Sequence, residues 1–188
     1  QLSGIYHDQQ SQYGKRNYDG KQQSFYANYI YQDIIKTTNH VIKGGLSLQY
    51  DKYDEAFAIA AYKRTEIVPG VFAEYAYNYD NKFNIVAGLR ADYHNLYGVF
   101  VTPRLHLRYA PEERSVFRAS IGRSQRTTNI LADNVGLMAS GRNFLMPNVI
   151  GTSNLPFGLD PEVAWNMGLN FTHKFRLNYR DGAFSTDY

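Results

Sequence analysis

Apolar and polar residues alternate along this chain in blocks of about ten to fifteen residues, separated by polar, turn-forming stretches. Phe83, Ile85, Ala87, Leu89, Ala91 and Tyr93 fall on one side of such a block, against Asn84, Arg90, Asp92 and His94. Val101, Pro103, Leu105, Leu107 and Tyr109 repeat the pattern against Thr102, Arg104, His106 and Arg108. A period of two marks a β-strand with one apolar and one polar face. The same reading gives strands at Leu2 to about Gln9, Ser24–Ile35, Ile42–Asp51, Val71–Tyr79, Phe117 to about Ser124 and Trp165–Thr172. A ninth begins after Gly182.

The connections carry the next inference. Lys36–Asn39, Tyr79–Lys82, Ala110–Arg114 and Arg180–Gly182 read as tight turns. The alternate connections are longer: one after Gln9, one over 52–66 with a short helix at Ala56–Ala61, a medium one near Asn95–Gly98, and the longest from Gln125 to Asp160. Strict alternation puts every tight turn on one side of the sheet. Outer-membrane barrels sort their connections this way, and a soluble sandwich has no reason to. The predicted fold is an all-β antiparallel up-and-down meander of about eight or nine long strands, part of a transmembrane β-barrel. Register is strongly specified, because a one-residue slip would move Arg90, Arg104 and Arg108 into lipid. Each arginine at the bilayer midplane would cost about 2–4 kcal/mol. Pro103 cannot donate to a ladder and suits a position near the strand start.

Composition sharpens this picture. Seventeen Tyr and eleven Phe stand against one Trp, and Tyr suits a membrane–water boundary. The mean hydropathy of −0.48 suggests a soluble protein, but half of each barrel strand faces a polar lumen. No run approaches ~20 consecutive apolar residues, so no transmembrane helix is expected. The net charge of +3, with no basic–aromatic stripe, gives no case for a nucleic-acid partner. The absence of cysteine excludes disulfides and thiolate metal sites.

Three stretches resemble the TonB-dependent outer-membrane receptors, particularly those of the Bacteroidetes type. Val71-Phe72-Ala73-Glu74-Tyr75 followed by Ile85-Val86-Ala87-Gly88-Leu89-Arg90-Ala91-Asp92 is similar to one hairpin of that family. Val101-Thr102-Pro103-Arg104-Leu105 with Phe117-Arg118-Ala119-Ser120-Ile121-Gly122-Arg123 is similar to another. Leu159-Asp160-Pro161-Glu162 with Trp165-Asn166-Met167-Gly168-Leu169 resembles the strand that follows a long extracellular loop. At Ser124-Gln125-Arg126-Thr127-Thr128-Asn129 the chain lacks the family's glycine–aromatic pair and proline.

The resemblance implies high-affinity uptake of a scarce nutrient (an iron chelate, haem, cobalamin or a glycan) across the bacterial outer membrane. It also implies a plug domain inside the barrel, a TonB complex that pulls on it, and surrounding outer-membrane lipid. Both ends of the chain read as interrupted strands. Residues 1–188 are therefore expected to be a fragment of a barrel domain, with no plug domain and no TonB box. Two other readings stay open: a smaller outer-membrane barrel acting as an enzyme or adhesin, and a soluble β-protein binding an apolar ligand.

Motifs for covalent chemistry are absent: no G-x-S-x-G elbow, no Walker or dinucleotide fingerprint and no H-x-x-x-H pair occur. No catalytic residue, cofactor or metal ligand is assigned. His94 and His106 share the inferred inner face and would approach across one hairpin, most simply as hydrogen-bonded or solvated histidines. Arg90, Arg104, Arg108 and Arg118 share that face too. They read first as a ladder of ion pairs with neighbours such as Asp92 and Glu74, and second as attraction for an anionic ligand or a docked plug. Arg126, Met138 and Phe144, in the longest connection, complete the candidate ligand-binding set. Met138, Phe144, Leu145 and Met146 would either line an extracellular pocket or pack the loop onto itself.

Overall fold

The computed structural model describes residues 1–58, 60–134, 136, 139–140 and 155–188. They form one nine-stranded antiparallel sheet in which each strand pairs with its sequence neighbours. The strands are β1 (Leu2–Tyr13), β2 (Arg16–Ile34), β3 (His40–Phe57), β4 (Ala60–Tyr79), β5 (Phe83–His94), β6 (Gly98–Glu112), β7 (Ser115–Arg126), β8 (Glu162–Leu177) and β9 (Arg180–Asp187). The sheet is open between β1 and β9. A helical turn, α1 (Ile130–Asp133), and a 3-10 turn (Pro156–Gly158) lie in the β7–β8 connection.

Side-chain alternation sets the two faces. Register aligns Leu46 with Val71, Val71 with Ala91 and Ala91 with Val101, then Leu105 with Ile121 and Ile121 with Met167. This outer face is apolar and open, with Leu46 61 %, Leu89 55 % and Met167 70 % exposed. The inner face carries Asp51, Glu74, Arg90, Asp92, Arg104, Arg118 and Asn170. Large side chains left open to the outside and polar ones turned inward invert the soluble arrangement and match a barrel wall in lipid.

The tight turns form as expected except the last, which falls at Asn178–Tyr179, with Arg180–Gly182, read as that turn, already inside β9. Asp80 and Asn81 both take positive φ (51° and 55°), and so do Asn178 and Tyr179 (48° and 61°). Two successive left-handed residues make the hairpin turn whose twist matches the flanking strands, and Asn and Asp tolerate that conformation best.

The opposite end differs from the sequence reading. The stretches taken as a polar loop after Gln9 and a loop over 52–66 are strand, and Ala56–Ala61 is the tip of the β3–β4 hairpin rather than a helix. Here the outer face is charged as well: Lys21 pairs with Asp8 (3.8 Å) and Lys63 with Asp54 (2.9 Å). With polar groups on both faces, hydrophobic alternation vanishes although the strand continues. β2, β3 and β4 hold 19, 18 and 20 residues, about 60 Å at ~3.3 Å each, whereas a bilayer needs only about 9–11 tilted residues. β5 has 12 residues. The wall is therefore tall at β2–β4 and low at the β5–β6 hairpin.

Pro103 has a local effect. Pairing of β6 with β7 stops at Arg104–Gly122, the register position next to the proline. Proline offers no N–H to continue the ladder. The Arg123 guanidinium donates instead to the Val101 carbonyl across the gap.

Candidate functional site

The inner face is a network of charge-assisted hydrogen bonds. Arg90 donates from Nε and Nη2 to Asp92 (2.7 and 2.6 Å) and from Nη2 to Ser47 Oγ (2.7 Å). The fork is bidentate, the geometry that makes guanidinium–carboxylate pairs strong. Gly70, opposite Asp92, makes room for it: a Cβ there would lie 2.0 Å from Asp92 Oδ1. Arg104 binds Glu74, which Lys43 also approaches at 3.6 Å. Ser24 donates to Asp51, and Gln49 Nε2 donates to the same carboxylate at 2.6 Å. A concavity of about 520 Å³ lies over this face, lined by Asn28, Phe72, Arg90, Asp92 and Arg104 among others. Asn28 Oδ1 is buried there without a hydrogen-bond partner.

The remaining predicted residues separate. Arg108 Nη1 donates to the Asn81 carbonyl (2.6 Å) and Arg118 Nη1 to Asn170 Oδ1 (2.9 Å), both neutral oxygens. Arg126 leaves the inner wall for the outer rim, bonded to Asp133 (3.1 Å) and Glu162 (3.1 Å). Met138 and Phe144 lie outside the described residues. His94 and His106 do not meet: His94 stands opposite Gly98 and His106 opposite Val86, eight residues away along β5.

A second cluster was hidden in the stretch read as a loop. Arg64, its side chain 11 % exposed, donates from Nη1 to Glu55 (3.0 Å) and from Nε to Glu66 (2.9 Å). Its guanidinium carbon lies 3.8 Å from the Tyr53 ring centroid. Tyr18 donates to Glu55 (3.0 Å). His94, 3 % exposed, brings Nε2 to 3.6 Å from Glu66. The Leu96 N–H donates to His94 Nδ1 (3.2 Å), so the neutral ring carries its proton on Nε2, facing Glu66. Two buried carboxylates thus share one arginine, with His94 alongside. In the β5–β6 turn, burial and then the Glu66 charge push the Tyr97 phenol up to about 12, and its buried hydroxyl has no partner.

Both ends of the β7–β8 connection fold onto the tall hairpins beside this cluster. Leu131, 0 % exposed, packs with Phe57 against Tyr13, Tyr18 and Tyr62 of the tall hairpins. Phe157 takes a left-handed backbone (φ 55°), and its ring packs 5.6 Å from Tyr62 and 5.6 Å from the Arg64 guanidinium. Only the spacing of Arg64 from Glu66 and of Tyr53 from Glu55, at the strand period of two, could have signalled this cluster in the sequence.

Among the described residues no three His, Asp or Glu converge as metal ligands. What the wall offers is hydrogen bonding and fixed charge facing a path.

The comparisons with known proteins agree with the architecture. A family model described as "TonB dependent receptor-like, beta-barrel" matches residues 2–188. No curated protein sequence matches. The siderophore receptor PirA of Pseudomonas aeruginosa is similar in structure at TM-score 0.62 and 16 % identity, over 98 % of this chain and 37 % of that one. A mutant ferric enterobactin receptor, PfeA, from the same organism, solved with enterobactin, is similar at TM-score 0.60 and 14 % identity, over 92 % of this chain and 32 % of that one. The chain spans about a third of the length of either receptor. The match is to the barrel family at large, and the narrower Bacteroidetes-type resemblance has no counterpart in it.

Proposed function

Since the chain belongs to the TonB-dependent receptor-like β-barrel family, we propose that it forms part of the wall of an outer-membrane receptor that takes up a scarce nutrient. An iron chelate is the first candidate, because the two solved receptors described above are a siderophore receptor and a ferric enterobactin receptor. The observation that carries the reading is the inverted sheet, apolar and open outside and polar and ion-paired inside, along a family match covering nearly the whole chain. In this reading the chain is a fragment of the barrel domain, a plug domain fills the lumen, and a TonB complex acts on that plug. The protein binds and gates, and makes or breaks no covalent bond.

The geometry ranks the candidate contacts. Arg90, Arg104 and Arg126 already spend their charge on carboxylates, so they hold the wall and rim. Asn28, with its free acceptor over the inner concavity, is the better ligand contact on this face.

The test is growth of the source bacterium on ferric enterobactin as sole iron source, with and without the gene encoding this chain. Loss of growth that the gene restores is the expected result. Unimpaired growth on ferric enterobactin, with loss on haem, cobalamin or a glycan instead, would reassign the nutrient. A chain that fractionates away from the outer membrane would overturn the receptor reading itself.

A further inference from the structure

The outer face of the tall hairpins changes character over three successive cross-strand rows. In the first, Gly4, Phe25, Tyr50 and Ile67 stand side by side on β1 to β4. This row closes the apolar band, which on β3 runs over nine residues from Ile42 to Tyr50, the length of strand that crosses one bilayer. The third row alternates in sign, Asp8, Lys21, Asp54 and Lys63, and pairs within itself, Lys21 with Asp8 at 3.8 Å and Lys63 with Asp54 at 2.9 Å. Asp19 stands one row further from the band, beside Gln10 and Ala56.

The row between them is Tyr6, Gln23, Lys52 and Thr65, with no acid among the four. Tyr6 spends its hydroxyl on Asp8 (3.3 Å). Lys52 is exposed and joins no ion pair among the described residues, and the carboxylate two residues along its own strand, Asp54, is held by Lys63. An ammonium, an amide and a hydroxyl therefore lie next to one another at the edge of the apolar band, each able to donate. They lie at the end of the strands away from the tight turns, which places them toward the outer leaflet. That is the height at which a lipid carries its headgroup phosphate.

We propose that Lys52, with Gln23 and Thr65 on either side, binds the phosphate of an anionic lipid in the outer leaflet. The occupant follows from charge and from continuity: the cation meets the phosphate, and the acyl chains of the same molecule lie on Phe25, Tyr50 and Ile67 directly below. Lys21 and Lys63, diagonal to Lys52, add positive charge on the far side of the headgroup, although each also faces a carboxylate. The inference rests on the barrel-wall reading above.

The test uses the native assembled receptor in vesicles of phosphatidylcholine, with and without phosphatidic acid, whose headgroup is a bare phosphate. The midpoint of heat-induced unfolding is read from the shift in gel mobility. The native midpoint should rise with phosphatidic acid. Lys52→Gln should lose most of that rise, and Gln23→Glu, which sets an acid opposite Lys52, should lose it too. Lys82→Gln, at the tight-turn rim, should keep it. A Lys52→Gln midpoint that rises as far as the native one overturns the proposal. So does an equal loss in Lys82→Gln, which would mean general attraction of a basic protein to a charged surface. A native midpoint that rises equally with inorganic phosphate in pure phosphatidylcholine identifies a free anion and overturns the lipid occupant. If Lys52→Gln does not assemble, Gln23→Glu decides by the same signs. Absence of any heat-modifiable band in the native protein would instead sink the barrel reading on which this rests.

Discussion

Leu89→Arg tests the outer face most directly. Leu89 lies near the middle of β5, 55 % exposed, with Ala73 and Pro103 as its cross-strand neighbours. Neither neighbour carries charge, and Ala87 and Ala91 flank it along the same face, so an arginine there finds no carboxylate. In lipid the substitution removes an apolar contact and sets a cation near the midplane, at a cost of about 2–4 kcal/mol. Gln49→Arg is the control: it faces the lumen beside Asp51, which Gln49 already contacts at 2.6 Å, and should change stability by less than about 0.5 kcal/mol. Both are measured by urea titration of the receptor refolded into lipid vesicles, scoring the heat-modifiable band. On a soluble protein an exposed Leu→Arg is close to neutral. Equal effects of the two variants, or a neutral Leu89→Arg, would refute the assignment of this face to lipid.

Three further outcomes follow from the outer end. Arg64→Met leaves Glu55 and Glu66 buried without their shared cation and should cost about 3–5 kcal/mol in the same titration, with Glu55→Gln/Arg64→Met recovering part of it. Tyr97→Phe removes a buried hydroxyl that has no partner, so stability should hold or rise by about 1 kcal/mol. The native phenol ionises only near pH 12, whereas an unfolded one does so near 10. The native receptor should therefore lose stability as pH rises through that window, and thermal midpoints should show Tyr97→Phe losing less. Leu131→Ala empties a fully buried site at a local cost of about 2–5 kcal/mol. Trypsin should then cut the assembled receptor sooner between Arg126 and Glu162, while the barrel band is unchanged.

What the sequence made legible follows from where one face meets lipid. Between Phe83 and Tyr109 the two environments differ sharply, and strands, turns and register all emerge from the alternation. Before Ser24 on β2 and between Asp51 and Glu66 both faces carry polar or charged residues, so the same period gives little hydrophobic signal. The strands run on because the ladder and cross-strand charge pairs persist there, as in Lys63–Asp54, a contrast that a hydrophobicity reading does not see. Hence Arg64, Glu55 and Glu66 were hidden, and His94, legible as an inner-face residue, lacked its partner, although the structure gathers all four into its most buried charged cluster among the described residues.

The arginines divide along the same logic. A period of two shows which face a side chain takes, and it placed Arg90, Arg104, Arg108 and Arg118 together. It does not show which carboxylate stands within reach, because that depends on register across several strands. Arg104 finds Glu74 from two strands away, while Arg108 finds Arg118. Charges that the wall neutralises by itself hold strands in register and leave little field for a visitor. A pair that the wall leaves opposed keeps its field directed into the lumen. The inner face of this chain should therefore select what it binds at the places where its own pairing is incomplete, rather than by its total positive charge.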